Sequence, residues 1–509
     1  MHKTGALPMI IDIHSHLPAD GSDSLPAMRD ECRRNGIGRI LVTALGRGWV
    51  DYPGSRLVRA ANMQARAFAE RSEGLAKWLV YLNPQNADWR DELNRAAAGG
   101  PVGVKLLVSL KDSRGSLRNS LAVIRAAAEK RLPVLIHTFH RVGSKPGEIT
   151  LAEFAALADA CPSARMVAAH AGGRWREVLG ILRGRAPNAC VDISGSPPQQ
   201  GMVEALVEDL GADRILFGSD FPCRSPASQI AKVLFAAILP RAKERIFYRN
   251  ALSVFGPAVA PEVTLPPLPL RPASRLPDMR QDHFCFCGRW PFFETPCPTP
   301  AALGRLLAAQ RVDRAYIADL GSAYRLDLER ANADFLRAAR RVRRIAALAT
   351  LNPRANNWRQ VIDGAGPAAG AIVYPYLHDW VLDDPAHVLF FVHCAEKHLP
   401  LWINCRLGDD RFRHFGLACR PVAVEELVRF VKRAPENSYV FQGLTAPEIN
   451  ELLVEMPRAA RVRFEISRLT DHPGALDKVV AAHGLSRLVM GCEFPLRDIR
   501  AVRWAAERQ

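Results

Sequence analysis

IIDIHSHLP, at residues 10–18, joins a short apolar run typical of a β-strand to two histidines, His14 and His16. Because side chains alternate along a strand, residues at positions i and i+2 project from the same face. The two imidazoles are therefore expected to converge on one point near the end of the strand. An H-x-H pair alone is weak evidence for a metal site, and the segments that follow decide its meaning.

Residues 9–256 alternate β-type runs with helical stretches rich in alanine, leucine and arginine, the pattern of parallel βα units. Eight such runs are found, at residues 9–13, 39–44, 77–82, 103–108, 133–138, 166–171, 189–193 and 214–218. Eight units predict a closed (β/α)₈ barrel of the TIM type, in which catalytic groups gather at the C-terminal ends of the strands.

Three further residues stand at predicted strand ends. His137 closes the fifth run, His170 closes the sixth and Asp220 follows the eighth. Barrel closure would bring them beside His14 and His16. Imidazoles with a carboxylate suit one Zn²⁺ ion per chain, with Mn²⁺ or Fe²⁺ as alternatives.

The second half of the chain repeats the first. A proline-dense segment, GPAVAPEVTLPPLPLRPASRLP, separates them at residues 256–277 and predicts a semi-rigid spacer. YLNPQNADWR, EKRLPVLIHTF and GADRILFGSDFP return as TLNPRANNWR, EKHLPLWINCR and GLSRLVMGCEFP at offsets of 269, 267 and 273. We therefore predict a catalytic barrel at 1–256, a linker at 257–277 and a degenerate, truncated barrel at 278–509.

The repeat has lost the residues that would hold a metal. Matching Asp282 to Asp12 places Phe284 and Phe286 at the two histidines, and the offsets carry His137 to Asn404, His170 to Gly443 and Asp220 to Glu493. A lone carboxylate is a poor metal site, so the second barrel is expected to be metal-free. An alternative register would put Cys285 and Cys287 at the histidine positions, again with too few partners.

The motifs DIHSH, GVKLL, VLIHTF, AAHAGG and LFGSDFP, in this order, resemble the amidohydrolase-related (amidohydrolase 2) family over residues 9–256. That family includes hydrolases, lactonases and nonoxidative decarboxylases similar to aminocarboxymuconate-semialdehyde decarboxylase. The resemblance implies that His14, His16, His137 and Asp220 hold one metal, with His170 and Asp220 serving acid–base catalysis.

Accessory residues leave alternatives open. Lys105, in GVKLL, corresponds to the position where relatives with a binuclear centre carry a carboxylated lysine. Arg47, Arg174 and Arg176 follow strand ends and could bind a substrate carboxylate, or could be solvated loop residues. His140 is expected at the rim of the site.

Composition excludes several classes of protein. The net charge is +16, but the arginines spread over helix faces without interleaved aromatics, which disfavours nucleic-acid binding. The eleven cysteines form no C-x-x-C pair, which favours a reducing cytoplasm over a disulfide framework. No apolar run approaches the ~18 residues that a membrane span requires, and the N-terminus lacks a signal-peptide pattern.

The sequence therefore predicts a cytoplasmic, metal-dependent hydrolase of a small carboxylated ester, lactone or amide, working through a metal-bound hydroxide. A nonoxidative decarboxylase of an unsaturated or aromatic acid is the alternative enzyme, and a metal-retaining binding or regulatory module is the non-enzyme alternative. Because decarboxylases that resemble this family commonly work as homodimers, the second barrel is expected to pack on the first as a built-in pseudo-dimer partner.

Overall fold

The structure, a computed structural model, describes residues 9–107, 116–139, 147–414, 416–417, 419–457 and 460–508. The chain divides into two compact units between Leu270 and Arg271. The division falls inside the proline-rich segment that the sequence predicts as a linker.

The first unit contains eight parallel strands in sequential order. These are β1 (Ile10–His16), β2 (Ile37–Thr43), β3 (Ala76–Leu82), β4 (Gly103–Leu106), β5 (Val134–Ile136), β6 (Met166–Ala168), β7 (Ala189–Asp192) and β8 (Ile215–Leu216). The ring closes because β1 bonds to the segment after β8: the N–H groups of Ile13 and His16 donate to Phe217 and Phe221 at 3.1 and 2.7 Å. This is the predicted TIM-type barrel.

In the described part of this unit, ten helices accompany the strands. They are α1 (Leu25–Asn35), α2 (Ser55–Arg71), α3 (Trp89–Ala97), α4 (Arg118–Glu129), α5 (Leu151–Asp159), α6 (Trp175–Val178), α7 (Met202–Leu210), α8 (Pro226–Phe235), α9 (Pro240–Glu244) and α10 (Asn250–Phe255). In α2, buried Val58, Ala61, Ala65 and Phe68 recur at helical spacing, so that one face packs inward. One apolar cluster joins strand residues such as Leu41 to Phe255 of α10.

Several strand boundaries differ from the sequence prediction, and the differences at β1 and β6 change where histidines lie. β1 extends beyond residue 13 because Ser15 and His16 pair with Val42 and Thr43 of β2, so both histidines lie within the strand. β6 ends at Ala168, before His170, which adopts a left-handed conformation with φ of 61°. The N–H of His170 donates to Asp192 at 3.0 Å, which stabilises this turn.

The proline-rich segment up to Leu270 packs on the first unit. Arg39, whose side chain is fully buried, donates to the carbonyl oxygens of Gly74 and Ala260 and pairs with Glu262 at 3.0 Å. Lys77 adds a second ion pair to Glu262, at 3.1 Å. Residues 260–262 are therefore fixed against the N-terminal ends of β2 and β3.

The second unit repeats the sequential parallel order. Its strands are β9 (Gln281–Cys287), β10 (Arg314–Asp319), β11 (Ile345–Leu351), β12 (Gly370–Val373), β13 (Leu401–Asn404), β14 (Ser438–Gln442), β15 (Arg461–Glu465) and β16 (Leu488–Val489). Its helices are α11 (Pro300–Ala309), α12 (Leu328–Ala339), α13 (Trp358–Gly364), α14 (Pro375–His378), α15 (Val388–Glu396), α16 (Val424–Arg433), α17 (Ala446–Glu455), α18 (Ala475–His483) and α19 (Ile499–Arg508). The predicted second barrel is thus present, with α19 after its eighth strand. Among the described helices of both units, none combines the length and apolarity that crossing a membrane would require.

Candidate metal centre

His14, His16 and Asp220 form a group of metal-competent side chains at the C-terminal end of the first barrel. The Nε2 atoms of the two histidines lie 3.1 Å apart, and Asp220 Oδ1 lies 3.8 Å from His14 Nε2 and 3.4 Å from His16 Nε2. Both imidazoles are almost fully buried, whereas the Asp220 side chain is 15% exposed. Two nitrogens and a carboxylate oxygen thus face one another, a donor set that suits Zn²⁺ or Mn²⁺.

Asp192, at the end of β7, orients His14. Its Oδ2 lies 2.8 Å from His14 Nδ1, and the carboxylate is fully buried. Burial opposes ionisation, but the neighbouring His14 holds the pKa of Asp192 well below its usual range. Because an ionised carboxylate only accepts hydrogen bonds, the ring proton of His14 resides on Nδ1. The lone pair of Nε2 therefore points towards His16 and Asp220, as metal ligation requires.

His137 and His170 form a second pair of imidazoles beside this group. His137 Nδ1 lies 3.2 Å from His170 Nε2, and the ring centroids of His14 and His170 are 5.0 Å apart. The other nitrogen of His137, Nε2, lies 3.1 Å from the buried carboxylate of Glu148. The structure therefore brings His137 next to His170, whereas the metal-competent neighbours of His16 are His14 and Asp220.

His170 is held by the same carboxylate that orients His14. Ser194 donates its hydroxyl proton to Asp192 Oδ1 at 2.6 Å and lies 3.0 Å from His170 Nδ1. The serine oxygen then accepts the Nδ1 proton, which leaves the lone pair of His170 on Nε2. Gly195, with φ of 79°, allows this close packing, because a Cβ at this position would overlap the His170 ring.

Burial controls the charge of these groups. Desolvation lowers the pKa of His16 to about 4 and lowers the pKa of both His137 and His170, so these imidazoles are neutral near pH 7. Burial opposes the charge of Asp220, but the His16 hydrogen bond and nearby imidazoles hold its pKa well below the usual range. Neutral imidazoles beside an ionised carboxylate are the protonation states that bind a divalent cation.

Lys105, on β4, points into the same group. Its Nζ lies 2.7 Å from His14 Nε2, and the side chain is fully buried. Burial lowers the pKa of this amine to about 8, although Asp192 and Asp220 favour its charged form. A carboxylated Lys105 would therefore lie beside His14, as the binuclear alternative predicted from the sequence requires.

Two aromatic rings border the histidines. Trp49 lies edge-on to His16 with centroids 5.9 Å apart, and Phe139 stacks on His137 at 5.9 Å while contacting His170 at 5.5 Å. These rings form flat apolar surfaces next to the metal-competent atoms.

The arginines predicted to bind a substrate carboxylate differ in their surroundings. Arg47 is exposed at the start of a short 3₁₀ turn, and Arg174 pairs with Glu177. Arg176 covers the Trp175 ring at 4.1 Å. Arg224, which the sequence did not single out, donates to the Gly195 carbonyl oxygen at 3.1 Å, close to His170. His140 lies outside the described residues.

The second barrel allows a direct comparison at equivalent positions. Asp12 Oδ1 accepts the N–H groups of His14 and Ser219, and Asp282 Oδ1 accepts those of Phe284 and Cys492 in the same way. Phe284 therefore stands at the position of His14. Phe284 and Phe286 share an apolar cluster with Ile372 and Trp402, whereas Cys285 and Cys287 pack in a different cluster. The geometry supports the register through Asp282 rather than the one that uses the two cysteines.

The remaining positions also correspond. Glu465 accepts the N–H groups of Gly443 and Ser467 at 2.8 and 2.7 Å, as Asp192 accepts those of His170 and Ser194. Gly443 therefore stands where His170 does. Ile372, third in β12, matches Lys105, third in β4.

Glu493, the counterpart of Asp220, is committed to an ion pair. Its Oε2 lies 2.7 Å from Arg497 Nε, and Arg497 Nη1 lies 2.8 Å from Asp471 Oδ2. All three side chains are buried. The carboxylate is thus neutralised by an arginine of its own barrel.

A further group of metal-competent side chains in the second barrel consists of Asp282, Cys285 and Cys492. The first barrel has Asp12, Ser15 and Ser219 here, with both hydroxyls donating to the carboxylate at 2.9 and 2.5 Å. Burial raises the pKa of both thiols and raises that of Asp282 to about 6. The thiols are therefore protonated near pH 7 and replace hydroxyl groups around a structural carboxylate.

Three residues of the site, Asp192, Ser194 and Glu148, were not predicted from the sequence. Asp192 ends a predicted strand in VDISGSP, so the rule that selected His137 and His170 could have found it. Ser194 follows two residues later. Glu148 lies in a loop before α5 and carries no local signal, because its role depends on a contact across eleven residues.

Comparisons with known proteins agree with this architecture. The family model described as amidohydrolase matches residues 11–256, just under half of the chain. No curated protein matches the chain. Similar solved structures include 2,6-dihydroxybenzoate decarboxylase from Rhizobium (16% identity, 49% of this chain and 98% of that chain, TM-score 0.39). Others are 5-carboxyvanillate decarboxylase from Sphingomonas paucimobilis (17%, 48% and 98%, 0.39) and dihydroxybenzoic acid decarboxylase from Polaromonas with bound manganese (15%, 49% and 96%, 0.39). This chain is similar to the amidohydrolase family over residues 11–256, a segment that includes His14, His16, His137, His170 and Asp220.

Proposed function

We propose that the first barrel is a metal-dependent hydrolase of a small carboxylated ester, lactone or amide. The convergence of His14 Nε2, His16 Nε2 and Asp220 Oδ1 beside the neutral His170 supports this proposal. These three residues would hold the ion, with His137 as a fourth ligand through Nδ1. One Zn²⁺ per barrel, or Mn²⁺ in its place, fits this donor set.

A divalent ion at such a site acts as a Lewis acid and generates a nucleophile from water near neutral pH. His170 supplies the proton transfer: its Nδ1 proton is held by Ser194, so Nε2 is free to take a proton from water and return it to a leaving group. Asp192 fixes both His14 and, through Ser194, His170. One carboxylate, Asp192, thus orients both the proposed base His170 and the proposed ligand His14.

A nonoxidative decarboxylase is the second candidate, and the aromatic rings favour it. Trp49 and Phe139 place aromatic rings beside His16 and His137, which suits a planar unsaturated acid. His170 would first take a proton from water at Nε2 and then deliver it to the substrate carbon as the bond to the departing carbon dioxide breaks.

Metal analysis of the purified protein tests the centre itself. We expect one equivalent of bound metal in the wild type and none in His14→Ala. Two equivalents would instead support a carboxylated Lys105 that bridges two ions. A wild-type protein that binds no metal when supplied with Zn²⁺ or Mn²⁺ contradicts the proposal.

A substrate screen separates the two reactions. The metal-loaded protein is incubated with lactones, amides, esters and unsaturated carboxylic acids, and ring opening or acid release is recorded separately from carbon dioxide. Hydrolysis without carbon dioxide supports the first candidate, and carbon dioxide release supports the second. Metal binding without turnover of any of these classes favours a binding or regulatory module.

A further inference from the structure

Glu148 is a buried carboxylate whose partner is one of the site histidines. Its side chain is only 3% exposed, and its Oε1 lies 3.1 Å from His137 Nε2. When the Glu148 oxygen accepts a hydrogen bond at this contact, the ring proton of His137 resides on Nε2. The lone pair of His137 then lies on Nδ1, the atom that faces His170 Nε2 at 3.2 Å.

The backbone fixes this contact. Thr138 and Ile149 form a parallel bridge, and the N–H of Phe139 donates to the Ile149 carbonyl oxygen at 3.0 Å. The bridge places the residues before each partner, His137 and Glu148, side by side. Just beyond, a capping box between Thr150 and Glu153 starts α5 and anchors the segment.

The second barrel separates the role of Glu148 from a purely structural one. Asp192 keeps a carboxylate counterpart, Glu465, although His14 has become Phe284, because Glu465 still accepts backbone N–H groups. Glu148 stands two residues before the N-cap of α5, and the same place before α16 holds Pro421. Counted from the helix N-cap, proline thus stands in place of the carboxylate in the barrel where Asn404 replaces His137. This difference links Glu148 to the presence of His137 rather than to the formation of the barrel.

We propose that Glu148 is a positioning residue that holds His137 with Nδ1 directed at the metal, and so completes the ligand set. This inference rests on the proposed metal centre. Two carboxylates, Asp192 and Glu148, then orient two ligands from opposite sides, each by holding the ring proton on the nitrogen that faces away. Such outer partners typically change metal affinity about 10–100-fold.

Co²⁺ binding to the full-length, metal-stripped protein tests this role, with visible absorption as the readout. We expect Glu148→Ala to raise the dissociation constant for Co²⁺ about 10- to 100-fold. Glu148→Gln should retain most of the affinity, because the amide oxygen can still accept the Nε2 proton of His137. Glu177→Ala removes a carboxylate that pairs with Arg174 and is the control for a change in charge alone. Thermal unfolding of each metal-free variant reports loss of local structure.

The outcomes distinguish the two levels of the argument. Weaker binding in Glu148→Ala, with near-normal binding in Glu148→Gln and Glu177→Ala, supports the role. Wild-type affinity in Glu148→Ala overturns it, even if unfolding shifts, and leaves the metal centre intact when His14→Ala abolishes binding. Equal loss in Glu148→Ala and Glu148→Gln overturns positioning by a hydrogen bond. A wild-type protein that binds no Co²⁺ overturns both proposals.

Discussion

His14 and Phe284 occupy the same place in two barrels, and the groups around them differ in a consistent way. In the first barrel, His14 and His16 face each other beside Asp220. Asp192 Oδ2 lies 2.8 Å from His14 Nδ1, and Glu148 Oε1 lies 3.1 Å from His137 Nε2. In the second, Phe284, Phe286 and Ile372 are apolar, and Glu493 is bound by Arg497. The comparison shows that a barrel can keep its strand order and closure when apolar residues occupy the positions that hold metal-competent side chains in the other barrel.

The packing around His170 also differs between the two barrels. Position 170 carries an imidazole and position 195 a glycine, whereas the equivalent pair in the second barrel is Gly443 and Arg468. A Cβ at Gly443 would overlap the backbone of Arg406. A histidine could therefore not be restored at Gly443 without moving its neighbours, so the second site has been closed by packing as well as by loss of ligands.

The largest expected effect concerns metal affinity. Asp220→Asn should weaken zinc binding by more than the ~100-fold expected when a residue that only hydrogen-bonds a ligand is mutated, because a proposed direct ligand is lost. Glu493→Gln, at the matching position, should leave zinc content unchanged. Zinc is measured by elemental analysis after dialysis against a fixed free concentration. Loss of zinc in Glu493→Gln would break the contrast between the barrels.

Removal of the arginine partner should have the next largest effect. Arg497→Met leaves Glu493 and Asp471 buried without a cation, which typically costs about 3–5 kcal/mol. Arg224→Met, at the same place in the first barrel, removes from a partly buried arginine a hydrogen bond worth about 1 kcal/mol. Calorimetric unfolding of the two full-length variants compares these losses. Equal losses would mean that the ion pair does not distinguish the second barrel.

Glu465 predicts a pH dependence. Burial and Glu493 raise the pKa of Glu465 from 4.5 to about 7, so the folded state binds a proton that the unfolded state has released between these values. Its stabilising contribution is therefore complete below pH 4.5 and lost as pH rises through 7, by about 3 kcal/mol at most. Glu465→Gln should flatten the fall in unfolding temperature between pH 5 and about 8. A variant with the wild-type pH profile would show that other groups control this range.

The smallest effect is expected from the thiols around Asp282. The double variant Cys285→Ser, Cys492→Ser restores the hydroxyls that surround Asp12 and should change the free energy of unfolding by less than about 1 kcal/mol. Metal content should also stay the same, since both thiols are protonated near neutral pH. A fall in bound zinc would instead identify a second metal site in the second barrel.

The barrels could be predicted from the sequence because period-2 apolar runs and repeated landmarks are local signals. His14, His16 and Asp220 could be placed together for the same reason: each lies at or near a strand end, and closure brings such ends together. Glu148 and Arg497 could not, because their partners are fixed by loop and helix positions that no pattern encodes. The left-handed turn at His170 escaped too, since it depends on Asp192 from the next strand.

The segment at residues 260–262 changes where the chain can be cut. Arg39, with a fully buried guanidinium, depends on Ala260 and Glu262, which lie beyond the predicted domain end at residue 256. A fragment ending there would remove the Ala260 and Glu262 acceptors of a buried cation, and its instability would say nothing about the second barrel. The expectation that the second barrel acts as a partner of the first is therefore to be tested on residues 1–270. The proline-rich segment is thus part of the first barrel, bound at the N-terminal ends of β2 and β3, as well as a linker.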